Sequence, residues 1–157
     1  MKTAFCLRSV LMSVTLSGAI VSSSVYSADS SQQGIPYVRI FSDAEGTSHF
    51  EDGMFPVAVI KLKSGEEARI HSVPVAGNAS MLMLAPGAFE DWHPSPASQM
   101  MVIIQGEAEV GASDGDMRYL TPGTIFVMDD NVGKGHTTRT VGDVPHIGMM
   151  IPKVISE

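Results

Sequence analysis

The chain has 157 residues, enough for one domain with a real core, and carries ten basic against seventeen acidic residues, a formal charge of −7. Such a surface repels nucleic acid and anionic lipid head groups, which excludes nucleic-acid binding as the main role. Cys6 is the only cysteine and lies near the N-terminus, so the rest of the chain has no disulfide, no thiol chemistry and no zinc-finger-type site.

The N-terminal segment reads as a secretory signal peptide over residues 1–27. Lys2 and Arg8 form a basic start, an apolar run extends from Val10 to Val21, and Ser22-Ser23-Ser24-Val25-Tyr26-Ser27 supplies small residues before a cut after Ser27. The apolar run is short for a bilayer span, so stable membrane insertion after processing is not expected. The expected location is the periplasm or the exterior. Without residues 1–27 the chain keeps eight basic and all seventeen acidic residues, a charge of −9. Residues 28–56 read as a linker followed by an edge strand, and residues 57–157 as a single barrel domain.

No convincing helix follows. Apolar residues come in short runs bounded by Gly, Pro, Asp and Asn, which is the punctuation of strands. Strands are predicted at Tyr37–Phe41, Val57–Lys63, Ala68–Val73, Met81–Leu84, Met100–Ile104, Glu107–Ala112, Met117–Leu120, Thr124–Met128, His136–Thr140 and His146–Ile151. Ser113-Asp114-Gly115 reads as a hairpin turn, and Thr121-Pro122-Gly123 as a second turn with Pro fixing φ. Ten short strands with regular turns imply an all-β sandwich or barrel.

Two segments carry the chemistry. The first runs Gly87, five residues, His93, one residue, Ser95, three residues, Gln99, six residues, Gly106. The second is Pro122-Gly123, a run of small and apolar residues, then Gly133-Lys134-Gly135-His136. Together they resemble the two-part signature of the cupin superfamily, in particular its small single-domain members. Ser95 and Gln99 stand where that signature has a second histidine and a glutamate. The resemblance covers roughly residues 57–151 and implies a double-stranded β-helix, or jelly-roll, barrel.

It also implies a site. The positions of His93, Gln99 and His136 match metal-ligand positions of the family, which would hold a divalent ion such as iron, manganese, nickel or zinc. On an extended strand His93 and Ser95 share a face, and Gln99 keeps that parity if the strand continues. An amide oxygen can ligate but brings no charge, so affinity should fall below that of the full family set. Asp91, two residues before His93, is a candidate to replace the missing carboxylate. Glu90, Asp129 and Asp130 read as solvated loop acids. Ser95 reads as a hydrogen-bond donor to a ligand and not as a nucleophile. Trp92 either flanks the pocket mouth, stacking on a ligand, or braces the rim. His49, His71 and His146 lack a motif and read as surface or structural histidines; His49 falls in an expected loop. The methionines in strand runs read as core filling.

Two readings of function follow. One is a metal-dependent enzyme acting on a small organic substrate inside the barrel; its reaction class is not specified by the pattern. The other is a non-catalytic small-molecule-binding barrel with a degenerate metal site. Pairing of barrels through their sheets, giving a homodimer, is compatible with either. The export expectation has a direct check. Intact-mass measurement on protein from its native host should find a chain beginning at Ala28, and a cytosolic species still beginning at Met1 would contradict it.

Overall fold

The structure is a computed structural model that describes residues 34–154. The signal segment, most of the expected linker and the last three residues lie outside the described residues. Among the described residues twelve strands follow one another, with no helix. They are β1 (Gly34–Ser42), β2 (Ser48–Pro56), β3 (Ala58–Lys61), β4 (Glu67–Ile70), β5 (Ser80–Leu84) and β6 (Phe89–His93). Then come β7 (Gln99–Gln105), β8 (Glu107–Ala112), β9 (Met117–Leu120), β10 (Ile125–Asp129), β11 (His136–Val141) and β12 (His146–Pro152). The all-β expectation holds, and each of the ten predicted strands has a counterpart.

The strands form a six-stranded sheet, ordered β2-β1-β10-β7-β12-β5, and a four-stranded sheet, ordered β6-β11-β8-β9; β3 and β4 pair only with each other. All neighbours are antiparallel except β1 and β10. The core lies between the two larger sheets. Ile40, Met101, Ile103, Phe126 and Met128 come from one, and Ala108, Val110, Ala112 and Leu120 from the other. Period-two alternation explains the selection: Ala108, Val110 and Ala112 point inward while Glu107 and Glu109 face water.

Three expectations need correction. First, β2 and β6 were not predicted. Second, the boundary drawn at residue 57 falls across one sheet, because β1 pairs along its length with β10 and β2 pairs with β1. Third, the methionines divide: Met100, Met101 and Met128 are buried, whereas Met81 and Met83 are exposed on β5, an edge strand.

His49 lies on β2 and not in a loop. Its Nδ1 stands 2.7 Å from Asp114 Oδ2 and its Nε2 2.9 Å from Asp43 Oδ2, so it bridges the β1–β2 and β8–β9 turns. Both ring nitrogens face carboxylates, and the ring donates to both only when protonated. The hydrogen bonds to Asp43 and Asp114 raise the His49 pKa above 6.5, and the bond to His49, with the backbone N–H of Thr47, lowers that of Asp43 below 3.8. A raised histidine pKa gives stability that is full below 6.5 and is lost as pH rises through the folded value. The lowered aspartate gives stability that is present above 3.8 and is lost as pH falls through its folded value. The contribution is therefore greatest in mildly acidic solution. Urea midpoints of wild type and His49→Gln should differ more at about pH 5.5 than at about pH 8.5. An equal gap at both would show that the bridge does not form.

Candidate functional site

β6 and β11 are antiparallel neighbours, and their register sets His93 opposite His136. The two imidazole rings lie 4.5 Å apart between centroids, inclined at 52°. Gly135 makes this approach sterically feasible. It has φ of 72°, and a Cβ there would collide with the carbonyl oxygen of His93. After His93 the strand stops: Pro94 and Pro96 have no N–H for a ladder. The chain returns to a strand only at Gln99, the first residue of β7. Ser95 therefore sits in a loop, and the strand parity expected to link positions 93, 95 and 99 does not exist.

That loop is fastened by Asp130. Ser95 Oγ–H donates to Asp130 Oδ1 at 2.6 Å, and Ser95 N–H donates to the Asp130 carbonyl at 3.1 Å. The other carboxylate oxygen, Oδ2, accepts from His136 Nδ1 at 2.6 Å. Asp130 is 0% exposed, Ser95 2% and His136 4%. This corrects the reading of Asp130 as a solvated acid. It is the most buried charged side chain of the site, and it orients one of the two histidines.

His93 Nδ1 lies 2.7 Å from the carbonyl oxygen of Asp91. Carbonyl and carboxylate oxygens only accept, so Nδ1 carries the hydrogen in both rings. In the neutral form each Nε2 then presents a lone pair. His93 and His136 both line a cavity of about 180 Å³ together with Glu90, Ser95, Gln99 and Thr138. The rest of the lining is almost entirely apolar, with Leu82, Met101, Phe126 and Met128 contributing, and it contains no lysine or arginine.

The remaining sequence candidates separate. Gln99 is half-buried and lines the cavity. Ser95 also lines it, but its hydroxyl hydrogen is committed to Asp130. Trp92 is not among the residues that line it; the residue is 40% exposed, with Lys134 Nζ 3.8 Å from its ring centroid. Asp91 is exposed, and its Oδ1 accepts from Trp92 N–H. The carboxylate of Glu90 lies 3.8 Å from His93 Nε2. Asp129 is half-buried in an ionic cluster with Arg39 and Lys153. His71 is structural: Nδ1 bonds the Pro56 carbonyl and the ring stacks on Phe55.

His146 is the residue the sequence reading underrated. It is 2% exposed and lines the cavity, and burial lowers its pKa below 6.5. Its sequence context, Val144-Pro145-His146, gives no sign of this.

The donor chemistry fits a divalent metal in kind. An imidazole whose Nδ1–H is held by an oxygen acceptor and whose Nε2 is free is the usual state of a metal-binding histidine. It falls short in number: among the described residues no three His, Cys, Asp or Glu side chains are gathered closely enough to hold an ion.

No protein-family model and no curated protein matches the chain. Among solved structures it is similar to a Cupin_2 domain of an XRE-family transcriptional regulator from Enterobacter cloacae, at 26% identity over 50% of this chain and 81% of that one, with a TM-score of 0.41. It is also similar to the DMSP lyase DddQ of Ruegeria pomeroyi, at 26% identity over 66% of this chain, with a TM-score of 0.43; the match spans 48% of the lyase chain. A cupin superfamily protein from Desulfitobacterium hafniense matches at 20% identity over 61% of this chain and 90% of that one, with a TM-score of 0.40. The all-β, mostly antiparallel arrangement agrees with the jelly-roll barrel expected from the sequence. Two facing sheets, one crossover pairing and a site between a glycine-framed strand pair and the inner sheet face are its elements here.

Asp130 gives a stability prediction. Removing a buried carboxylate that satisfies two side-chain donors leaves both unpaired in the interior. Asp130→Ala should lose about 3 kcal/mol in urea unfolding. A loss below about 1 kcal/mol, the range of an ordinary surface change, would show that the network does not hold the site.

Proposed function

We propose that this chain is an exported cupin-type protein that binds a compact organic molecule inside its barrel, beside a weakly held divalent metal. The observation that supports it most is the pair of histidines, His93 and His136, each with Nδ1 held by an oxygen, lining one largely apolar cavity. Such a cavity takes an apolar body, while its few polar groups orient the ligand. A dry apolar cavity of about 150 Å³ accommodates benzene, so about 180 Å³ suits a molecule of one small ring or a short branched chain.

In this reading His93 and His136 hold the ion, with an oxygen of Gln99 or Glu90 as further donor, and the metal is iron, manganese, nickel or zinc. A bound ion would polarise a ligand oxygen. Binding is preferred to turnover because the Ser95 hydroxyl is tied to the buried Asp130 carboxylate, which also holds His136 Nδ1, and so serves as a structural tie. Export rests on the basic, apolar and small-residue pattern of residues 1–27. Two of the expected partner classes follow from charge and pocket: a small molecule, and no nucleic acid.

Calorimetric titration of zinc and manganese tests the metal site. Wild type should bind one ion per chain weakly. His93→Ala and His136→Ala should each weaken binding by about tenfold or more. Gln99→Glu should strengthen it, since a carboxylate adds negative charge and a harder oxygen. Equal affinity in all four proteins would remove the two-histidine site from the reading.

A further inference from the structure

Two buried polar atoms in this barrel have no partner among the described residues and no place in the metal site: Nδ1 of His146 and Oγ1 of Thr140. Each residue is 2% exposed. A buried polar group left without a hydrogen bond costs about 1–3 kcal/mol. Such groups are rare enough in native interiors that each asks for a reason. Another such atom among the described residues, Arg118 Nε, has one: its guanidinium lies 5.6 Å over the ring of Phe50.

The two orphans belong to one end of the barrel. Thr140 is the next but one residue before the turn that links β11 to β12, and His146 is the first residue after it. His136, Thr138 and Thr140 alternate along β11 and so share a face; the first two line the cavity. Thr140 pairs with Ala108, which lines the cavity, and His146 pairs with Leu84, which also lines it. His136 lies four residues from Thr140, about 13 Å along the strand. The cavity thus has polar groups at two levels, with an apolar stretch of Leu82, Met101 and Phe126 in its lining.

We propose that the His146–Thr140 end is a second polar subsite, which takes an uncharged hydroxyl or carbonyl group of the ligand. The proposal rests on the small-molecule reading above and adds the ligand class: a compact neutral molecule, apolar in body, with a hydrogen-bonding group that reaches this end. The chemistry selects against charge in two ways. Burial keeps the His146 imidazole neutral near pH 7, so it offers one N–H and one lone pair and no formal charge. No lysine or arginine lines the cavity to receive an anion; Lys134, Arg39, Lys153 and Arg139 are engaged elsewhere, on Trp92, Asp129, Asp129 and Phe89. A threonine hydroxyl and a neutral imidazole can each donate or accept, which suits a hydroxyl or a carbonyl and leaves the chain's own donors satisfied only when a ligand is present.

The experiment uses three probes of nearly one size: phenol, toluene and benzoate. Their binding to the metal-free protein is followed by calorimetry and by the imidazole nitrogen shifts of His146. Wild type should prefer phenol to toluene by about fivefold to tenfold, the worth of one hydrogen bond. Benzoate should bind weakest. His146→Leu and Thr140→Val should each reduce the phenol preference while leaving toluene binding in place; Thr140→Val is nearly isosteric and removes an unpaired hydroxyl, so it should fold as wild type does. A phenol preference that survives both substitutions overturns the subsite while leaving the pocket intact. Failure of both phenol and toluene to bind overturns the pocket reading itself, and the subsite with it.

Discussion

Asp130 has no exposed surface, yet its side chain accepts two short hydrogen bonds and its backbone carbonyl a third. A carboxylate buried without donors is costly, so the arrangement stands only if Ser95 and His136 are both delivered to it. Those residues come from the β6–β7 loop and the start of β11, and Asp130 itself from the end of β10. Asn131 Nδ2 adds a bond to the Ser95 carbonyl. One residue therefore holds three segments, from both larger sheets, in a single relation. The orientation of His136 follows from it directly. That of His93 follows at one remove, because the glycine before His136 packs on the His93 carbonyl and the β6–β11 register sets the two rings side by side.

The same constraint decides what the site can do. With Nδ1 of each ring committed to an oxygen, the cavity is offered two lone pairs and no N–H from these histidines in their neutral form. A metal ion, or a ligand with a hydroxyl or amine hydrogen, meets that need; a carboxylate does not. Ser95 contributes through Asp130 and not through its own reactivity. Ser95 is thus part of the support for His136.

Much of the fold was legible because its signals are local. The turn residues Ser113-Asp114-Gly115 and Thr121-Pro122-Gly123 and the apolar runs between them bound the strands to within a residue or two. β2 and β6 gave no such signal. β2 reads Ser-His-Phe-Glu-Asp-Gly-Met-Phe-Pro, with two acids and a glycine inside it, and it is an edge strand whose one sheet neighbour is β1. β6 reads Phe-Glu-Asp-Trp-His and is exposed along most of its length, so no alternation marks it. At the site, His93, Gln99 and His136 were legible through the spacing of glycines around them. Asp130 was not: its partner Ser95 is 35 residues away, and an Asp-Asp-Asn run before a glycine-rich stretch looks the same whether it faces water or the interior. His146 was hidden for a related reason, since its burial is made by Leu84 and the β7–β8 turn at Gly106 and not by its neighbours in sequence.

Asp129 and Asp130 show why composition alone misleads here. They are consecutive acids at the end of β10, and the strand's alternation sends them to opposite faces. Burial alone would raise the Asp129 pKa; hydrogen bonds from Ser98, Arg39 and Lys153 outweigh it and hold the carboxyl below its ordinary range. That cluster joins β1, the β6–β7 loop and the end of β12 from the outside of the sheet. Asp130 joins the β6–β7 loop to β11 from the inside. The loop that carries Ser95 and Ser98 is thus gripped on both faces of one strand end, by a solvent-facing ion cluster and by a buried carboxylate. A loop held this way keeps a fixed shape with little apolar burial of its own, and so Gln99, the residue that follows it, starts its strand in a defined position against the cavity.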